Sequence, residues 1–151
     1  MQVRIPAGVR DGQRLRIRGR GEPGAGGGPA GDLIVTVHVR PHPVFELDGR
    51  NLRVTVPVTF PEAALGAVIE VPTFHGAPVK VRVKAGTESG RELRVRGRGV
   101  QTKKGTGDLL VRLQIVVPKR LNAKAKQALE DFRAAVPDTD PRADLLARAR
   151  G

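Results

Sequence analysis

Apolar and charged residues alternate along most of this chain, and the alternation marks out strands. Val3 and Ile5 flank Arg4, and Leu15 and Ile17 alternate with Arg14, Arg16 and Arg18. A period of two is expected of a strand with one buried face. Leu33, Val35, Val37 and Val39 repeat it, as do Leu93 and Val95 between Arg94, Arg96 and Arg98. A longer run holds Leu52, Val54, Val56, Val58 and Phe60. Pro57 within it predicts an edge or a bulge, because proline brings no N–H to a ladder. A further strand pair is predicted at Val68–Val71 and Val79–Val83, joined through Phe74-His75-Gly76.

Elsewhere the period changes. Pro61 at the start and Gly66 past the end bracket one helical turn. Asn122 suits an N-cap, and Ala125, Leu129, Phe132 and Val136 recur at three- and four-residue steps. An amphipathic helix near 123–135, ended by Pro137, is the expectation. Residues 138–151 offer little apolar content beyond Leu145 and Leu146, so a frayed tail is expected there.

The pattern also repeats. V-R-I-P-A-G-V-R-D-G-Q-R-L-R-I-R-G-R-G starts at Val3, and V-R-V-K-A-G-T-E-S-G-R-E-L-R-V-R-G-R-G starts at Val81. Each copy leads through a Gly-containing loop to G-D-L, at Gly31-Asp32-Leu33 and Gly107-Asp108-Leu109. Two copies of a strand–turn–strand–loop–strand unit follow from this self-similarity. The glycines Gly19, Gly21, Gly97 and Gly99 read as strand ends.

Composition narrows the class of protein. The 151 residues contain 27 Lys and Arg against 15 Asp and Glu, a net charge of +12. Four Phe, no Trp or Tyr, 19 Gly and 12 Pro suit many short strands rather than a few large ones. No cysteine is present, which removes disulfides, thiolate nucleophiles and Cys-based zinc sites. His38, His42 and His75 lack metal-site spacing. No apolar run approaches the length of a membrane span, and no signal peptide is evident. The expectation is a soluble cytoplasmic chain with no cofactor, no metal and no membrane partner.

Several motifs read as chemistry and have simpler explanations. Gly19-Arg20-Gly21-Glu22-Pro23-Gly24 spells G-x-G-x-x-G, but Pro23 and the following glycines cannot open the helix that a dinucleotide site needs. Asp32 and Asp108 hold equivalent places in separate repeats, so local turn bonding explains them better than convergence as catalytic carboxylates. The single serine, Ser89, lies in a turn, not a nucleophile elbow. The chain therefore reads as a binding protein, not an enzyme. The arginine rows make a basic nucleic-acid-binding β module the alternative. Against it stand the few aromatics for stacking and the lack of a basic recognition helix.

The apolar stripes are the remaining candidate. The first copy is short of partners for its stripe, and an apolar groove beside open backbone is how a sheet takes up extended peptide.

These residues resemble a known family. V-R-I-P-A-G-V-R-D-G-Q-R-L-R-I-R-G-R-G-E, then G-G-P-A-G-D-L-I-V-T-V-H-V-R-P-H-P-V-F-E-L-D-G-R-N-L, V-P-V-T-F-P-E-A-A-L-G-A-V-I-E-V-P-T and G-T-G-D-L-L-V-R-L are similar to the C-terminal half of DnaJ-type (J-domain) co-chaperones. The likeness spans roughly residues 3–135. It implies a mostly β chain of two related β-sandwich-like domains, the first truncated, plus a C-terminal amphipathic helix. The expected divisions are a partial first domain at 1–43, a second at 44–120, a dimerisation helix at 121–136 and a flexible tail at 137–151. It further implies binding of non-native polypeptide, dimerisation, and delivery of clients to a DnaK-type chaperone. Val35 maps by motif onto the client groove, and Val3 and Ile5 border it; alternation adds Leu15, Ile17 and Val37. Leu129 and Phe132 fall where such proteins pair with a second copy. The J-domain and the C-x-x-C-x-G-x-G zinc repeats are absent from the sequence, which is expected to be a fragment.

Overall fold

The computed structural model describes residues 13–19, 21, 30–37 and 41–151. The expected strand around Val3 and Ile5 lies outside the described residues, as does Val39. The chain divides into two compact units, one running to Val116 and one from Val117 to Gly151.

In the first unit, β1 (Arg14–Ile17) and β2 (Leu33–Thr36) make a two-stranded antiparallel sheet. A four-stranded sheet follows, built from β3 (Phe45–Asp48), β4 (Asn51–Thr59), β7 (Glu92–Val95) and β10 (Leu109–Val116) in the order β3-β4-β10-β7. Its central pair, β4 and β10, is parallel, and the two outer pairs are antiparallel. Between β4 and β7 come helix α1 (Phe60–Leu65) and the hairpin of β5 (Ala67–Val71) and β6 (Val79–Val83). A small ribbon of β8 (Gln101–Thr102) and β9 (Gly105–Thr106) precedes β10. The mostly β architecture read from the sequence is present.

One core joins the two larger sheets. Leu52, Val54 and Val58 of β4 and Leu109, Val111 and Leu113 of β10 pack with Val71 of β5, Val83 of β6, Ala63 of α1 and Phe45. Two sheets that share an apolar interior in this way form a sandwich. Burial of each such Val or Leu contributes about 1.5–3 kcal/mol.

Pro57 shows how the strand tolerates a missing donor. β4 is an inner strand, but β3 opposes only its first half, Asn51 to Val54. The Leu52 N–H donates to the Asp108 carbonyl on the β10 side, at 2.9 Å. Backbone groups alternate sides along a strand, so the Pro57 nitrogen faces away from β10, past the end of β3. The expected edge exists over half the strand.

Helix α1 is short and firmly capped. Thr59 Oγ1 accepts from the Glu62 N–H at 3.2 Å, and Glu62 Oε1 accepts from the Thr59 N–H at 2.9 Å. This reciprocal capping box satisfies two donors that the helix start leaves open. Gly66, with φ 86°, ends the helix and packs 3.1 Å from the Val83 carbonyl, measured from where its Cβ would stand.

In the second unit, α2 (Ala123–Ala135) matches the predicted helix, with Asn122 Oδ1 accepting from the Ala125 N–H at 2.8 Å. The tail differs from expectation. Ala143–Ala149 forms a further helix, α3, where frayed chain was expected. Its last turn is tied by Arg148 to Asp144, an i,i+4 ion pair that apolar periodicity does not register.

Candidate functional site

The two repeats fold onto the same local design. In the first, Leu15 lies opposite Val35 and Ile17 opposite Leu33. In the second, Leu93 lies opposite Val111 and Val95 opposite Leu109. The supporting bonds are equally duplicated. Val37 N–H donates to the Gln13 carbonyl at 2.9 Å, as Leu113 N–H does to that of Arg91 at 2.8 Å. Gly21 N–H donates to Gly31 at 2.7 Å, as Gly99 N–H does to Gly107 at 2.9 Å.

Each G-D-L aspartate clamps its repeat. Asp32 accepts from the Arg16 side chain and from the Gly19 N–H at 3.2 Å. Asp108 accepts from the Gly97 N–H at 2.9 Å and from Arg94 at 2.7 Å. The Arg16 hydrogen bond, helped by Gly19, holds the Asp32 carboxyl below the ordinary aspartate range. The Gly97 N–H, then Arg94, does the same for Asp108. Both carboxylates thus close a strand-to-loop turn, as local bonding predicted.

What separates the copies is how far the apolar face is covered. In the second repeat Leu109, Val111 and Leu113 are 0% exposed, sealed against β5, β6 and α1. In the first, the equivalents Leu33 and Val35 are only half-buried and Val37 is buried, while Leu15 and Ile17 are half-buried as their counterparts Leu93 and Val95 are. Four of the six residues expected at a client groove (Leu15, Ile17, Val35 and Val37) therefore share one partly open face of the β1–β2 hairpin. The other two, Val3 and Ile5, lie outside the described residues.

The opposite face repeats the contrast. Leu110 is 6% exposed between its register neighbours Arg53 and Arg94, whose aliphatic stems can cover it. Its equivalent, Ile34, is 62% exposed. Among the described residues β2 has β1 on one side and no strand corresponding to β4 on the other.

On α2, Leu129 is 45% and Phe132 46% exposed, and Val136 follows on the same side. The helix buries none of its residues.

Sequence reasoning missed one cluster. The rings of His42, Phe45 and Phe74 gather with centroids 5.2–5.8 Å apart, and His75 packs on Phe74 at 4.3 Å. His42 Nδ1 accepts from the Val44 N–H at 3.0 Å and the Phe45 N–H at 3.3 Å, fixing the start of β3. Two segments distant in sequence supply these rings, so no periodicity announced them. Among the described residues no group of three metal-ligating side chains stands together.

The family model described as DnaJ C terminal domain matches residues 1–118. A protein named Chaperone protein DnaJ 1 from Streptomyces coelicolor is 58% identical over 152 residues, covering 100% of this chain and 38% of the relative. Chaperone protein DnaJ 2 of Cutibacterium acnes is 57% identical over 94% of this chain, and that of Corynebacterium glutamicum 51% identical over 98%. The chain spans 38% of the length of each of these curated relatives.

Proposed function

The chain belongs to the DnaJ C-terminal domain family, and from that premise we propose that it binds non-native polypeptide on the first-repeat hairpin and works as a dimer. It is a chaperone-class binding module. The observation that carries the reading is the unequal sealing of two otherwise matching repeats. Val35, like Leu33 beside it, is half-buried at a place whose counterpart in the second repeat, Val111, is closed core, and Leu15, Ile17 and Val37 share its face. A half-open apolar strand face suits an extended segment, whose alternate side chains enter the face while its backbone meets the sheet.

Affinity at one such face should be modest. Two or three client side chains contribute about 1.5–3 kcal/mol each. Association itself costs roughly 4–15 kcal/mol. Pairing through Leu129 and Phe132 of α2 makes a second contact intramolecular and raises avidity without new chemistry. Weak contact at each face lets a client be released and passed on to a DnaK-type chaperone.

The test is suppression of aggregation of a chemically denatured protein. Val35→Asp places a charge on the face and should abolish most of the suppression, with little dependence on salt. Undiminished suppression by Val35→Asp removes the hairpin face as the binding site.

A further inference from the structure

Beyond client capture, we propose that the loop end of the second repeat docks on the phosphate backbone of duplex DNA without regard to sequence. Five exposed cations belong to this end: Arg50, Arg96, Arg98, Lys103 and Lys104. The backbone brings them together. Val100 N–H donates to the Arg50 carbonyl at 2.8 Å, and Arg50 Nη1 donates to the Lys104 carbonyl at 3.1 Å. Gly99 and Gly107 lie so close to Arg50 that a Cβ on either would stand within 2.6 Å of its carbonyl oxygen. The cations thus sit on a tightly interlocked backbone frame, which limits the loop ordering that binding would otherwise cost.

Their charge is not spent in ion pairs, although Arg96 acts on the Asp108 carboxylate from a distance. The ion pairs among the described residues use Arg16, Arg53, Arg94, Arg112 and Arg148, none of the five. The loop's own carboxylate, Asp108, is committed to Gly97 and Arg94. Lys103 and Lys104 form the tip of the two-stranded β8–β9 ribbon. A ribbon of two strands is one of the elements that the major groove admits. Arg50 is tied to it through the Lys104 carbonyl, and Arg96 and Arg98 stand on the strand-to-loop turn that leads into it. Backbone contact of this kind needs neither stacking aromatics nor a recognition helix, the two features whose absence speaks against single-strand binding or sequence readout.

The experiment is fluorescence anisotropy of a short labelled duplex of mixed sequence, titrated with the 151-residue chain over a series of salt concentrations. Micromolar binding is expected at low salt, equal for a scrambled duplex. The log–log salt slope should be about −4.5, from roughly five phosphate contacts. Lys103→Glu with Lys104→Glu should flatten that slope by about two, and Arg98→Gln by about one. Lys124→Glu with Lys126→Glu, the same charge change made on α2, should leave it unaltered. Parent-like binding by the tip variant overturns the proposal, as does an equal loss in the α2 control, which would mean net charge alone. Polyglutamate competing as well as unlabelled duplex at equal charge would assign the surface to acidic polypeptide and overturn it too. The client assay is separate, since Val35→Asp should leave duplex binding intact.

Discussion

Gly97 and Gly107 lie on the same loop and answer different needs. Gly97 has φ 76° and open space where a Cβ would go, so only its left-handed backbone resists substitution. At Gly107 a Cβ would stand 1.9 Å from the Arg50 carbonyl oxygen, and the obstacle is backbone that cannot swing away. Gly97→Ala should therefore lower stability by about 1–2 kcal/mol. Gly107→Ala should cost about 3 kcal/mol or more, as forced overpacking does. Urea midpoints of the two variants check the order. The sequence showed that glycines end these strands, but a close approach between residues so far apart in the chain leaves no mark in either local pattern. The aspartates add a pH signature. Asp108 titrates lower when folded than the unfolded value of about 3.9, so its contribution is present above that value and is lost as pH falls through the folded one. Asp108→Asn should flatten the acid limb of the melting temperature measured between about pH 5 and pH 2.

Among the elements, those with a strong period or a stop signal were legible. α1 was readable from Pro61 and Gly66, α2 from Asn122, its apolar steps and Pro137, and the β5–β6 pair from alternating valines. β3 was not, because Phe45–Asp48 puts one buried residue beside three exposed ones. β8 and β9 hold Gln101, Thr102, Gly105 and Thr106, with no apolar residue to alternate. Backbone pairing, with Thr102 Oγ1 donating to the Gly105 carbonyl at 2.9 Å, forms them instead. α3 escaped notice because Leu145 and Leu146 are adjacent and set no helical period, and its i,i+4 pair of Asp144 and Arg148 is charged rather than apolar. The capping box of α1 offers a test at this scale. Thr59→Ala removes an acceptor from the Glu62 N–H and should destabilise the first unit by about 1 kcal/mol. Thr59→Ser, which keeps the oxygen, should recover most of that loss in the same denaturation assay.

For the whole molecule, the duplication read from two motif strings extends to strand register, backbone bonds and the two aspartate clamps. What the strings could not convey is the difference in covering. Val35 and Val111 look alike in sequence, and only packing separates a half-buried face from a closed core. The dimer proposal makes its prediction here. Phe132→Glu should shift the chain toward monomer in sedimentation, weaken aggregation suppression, and leave affinity for a single short apolar peptide unchanged. An undiminished dimer would place the contact away from α2.

The parallel pairing of β4 with β10 has a consequence for how the protein is made. Translation delivers β4 well before β10, and its neighbour in the finished sheet does not exist until α1, two hairpins and β7 have been synthesised. Contacts this distant in the chain close slowly. Val54 and Val58 must meanwhile stay wet on the nascent polypeptide, open to aberrant association. A protein proposed to shelter the unfinished strands of others leaves the ribosome with one of its own.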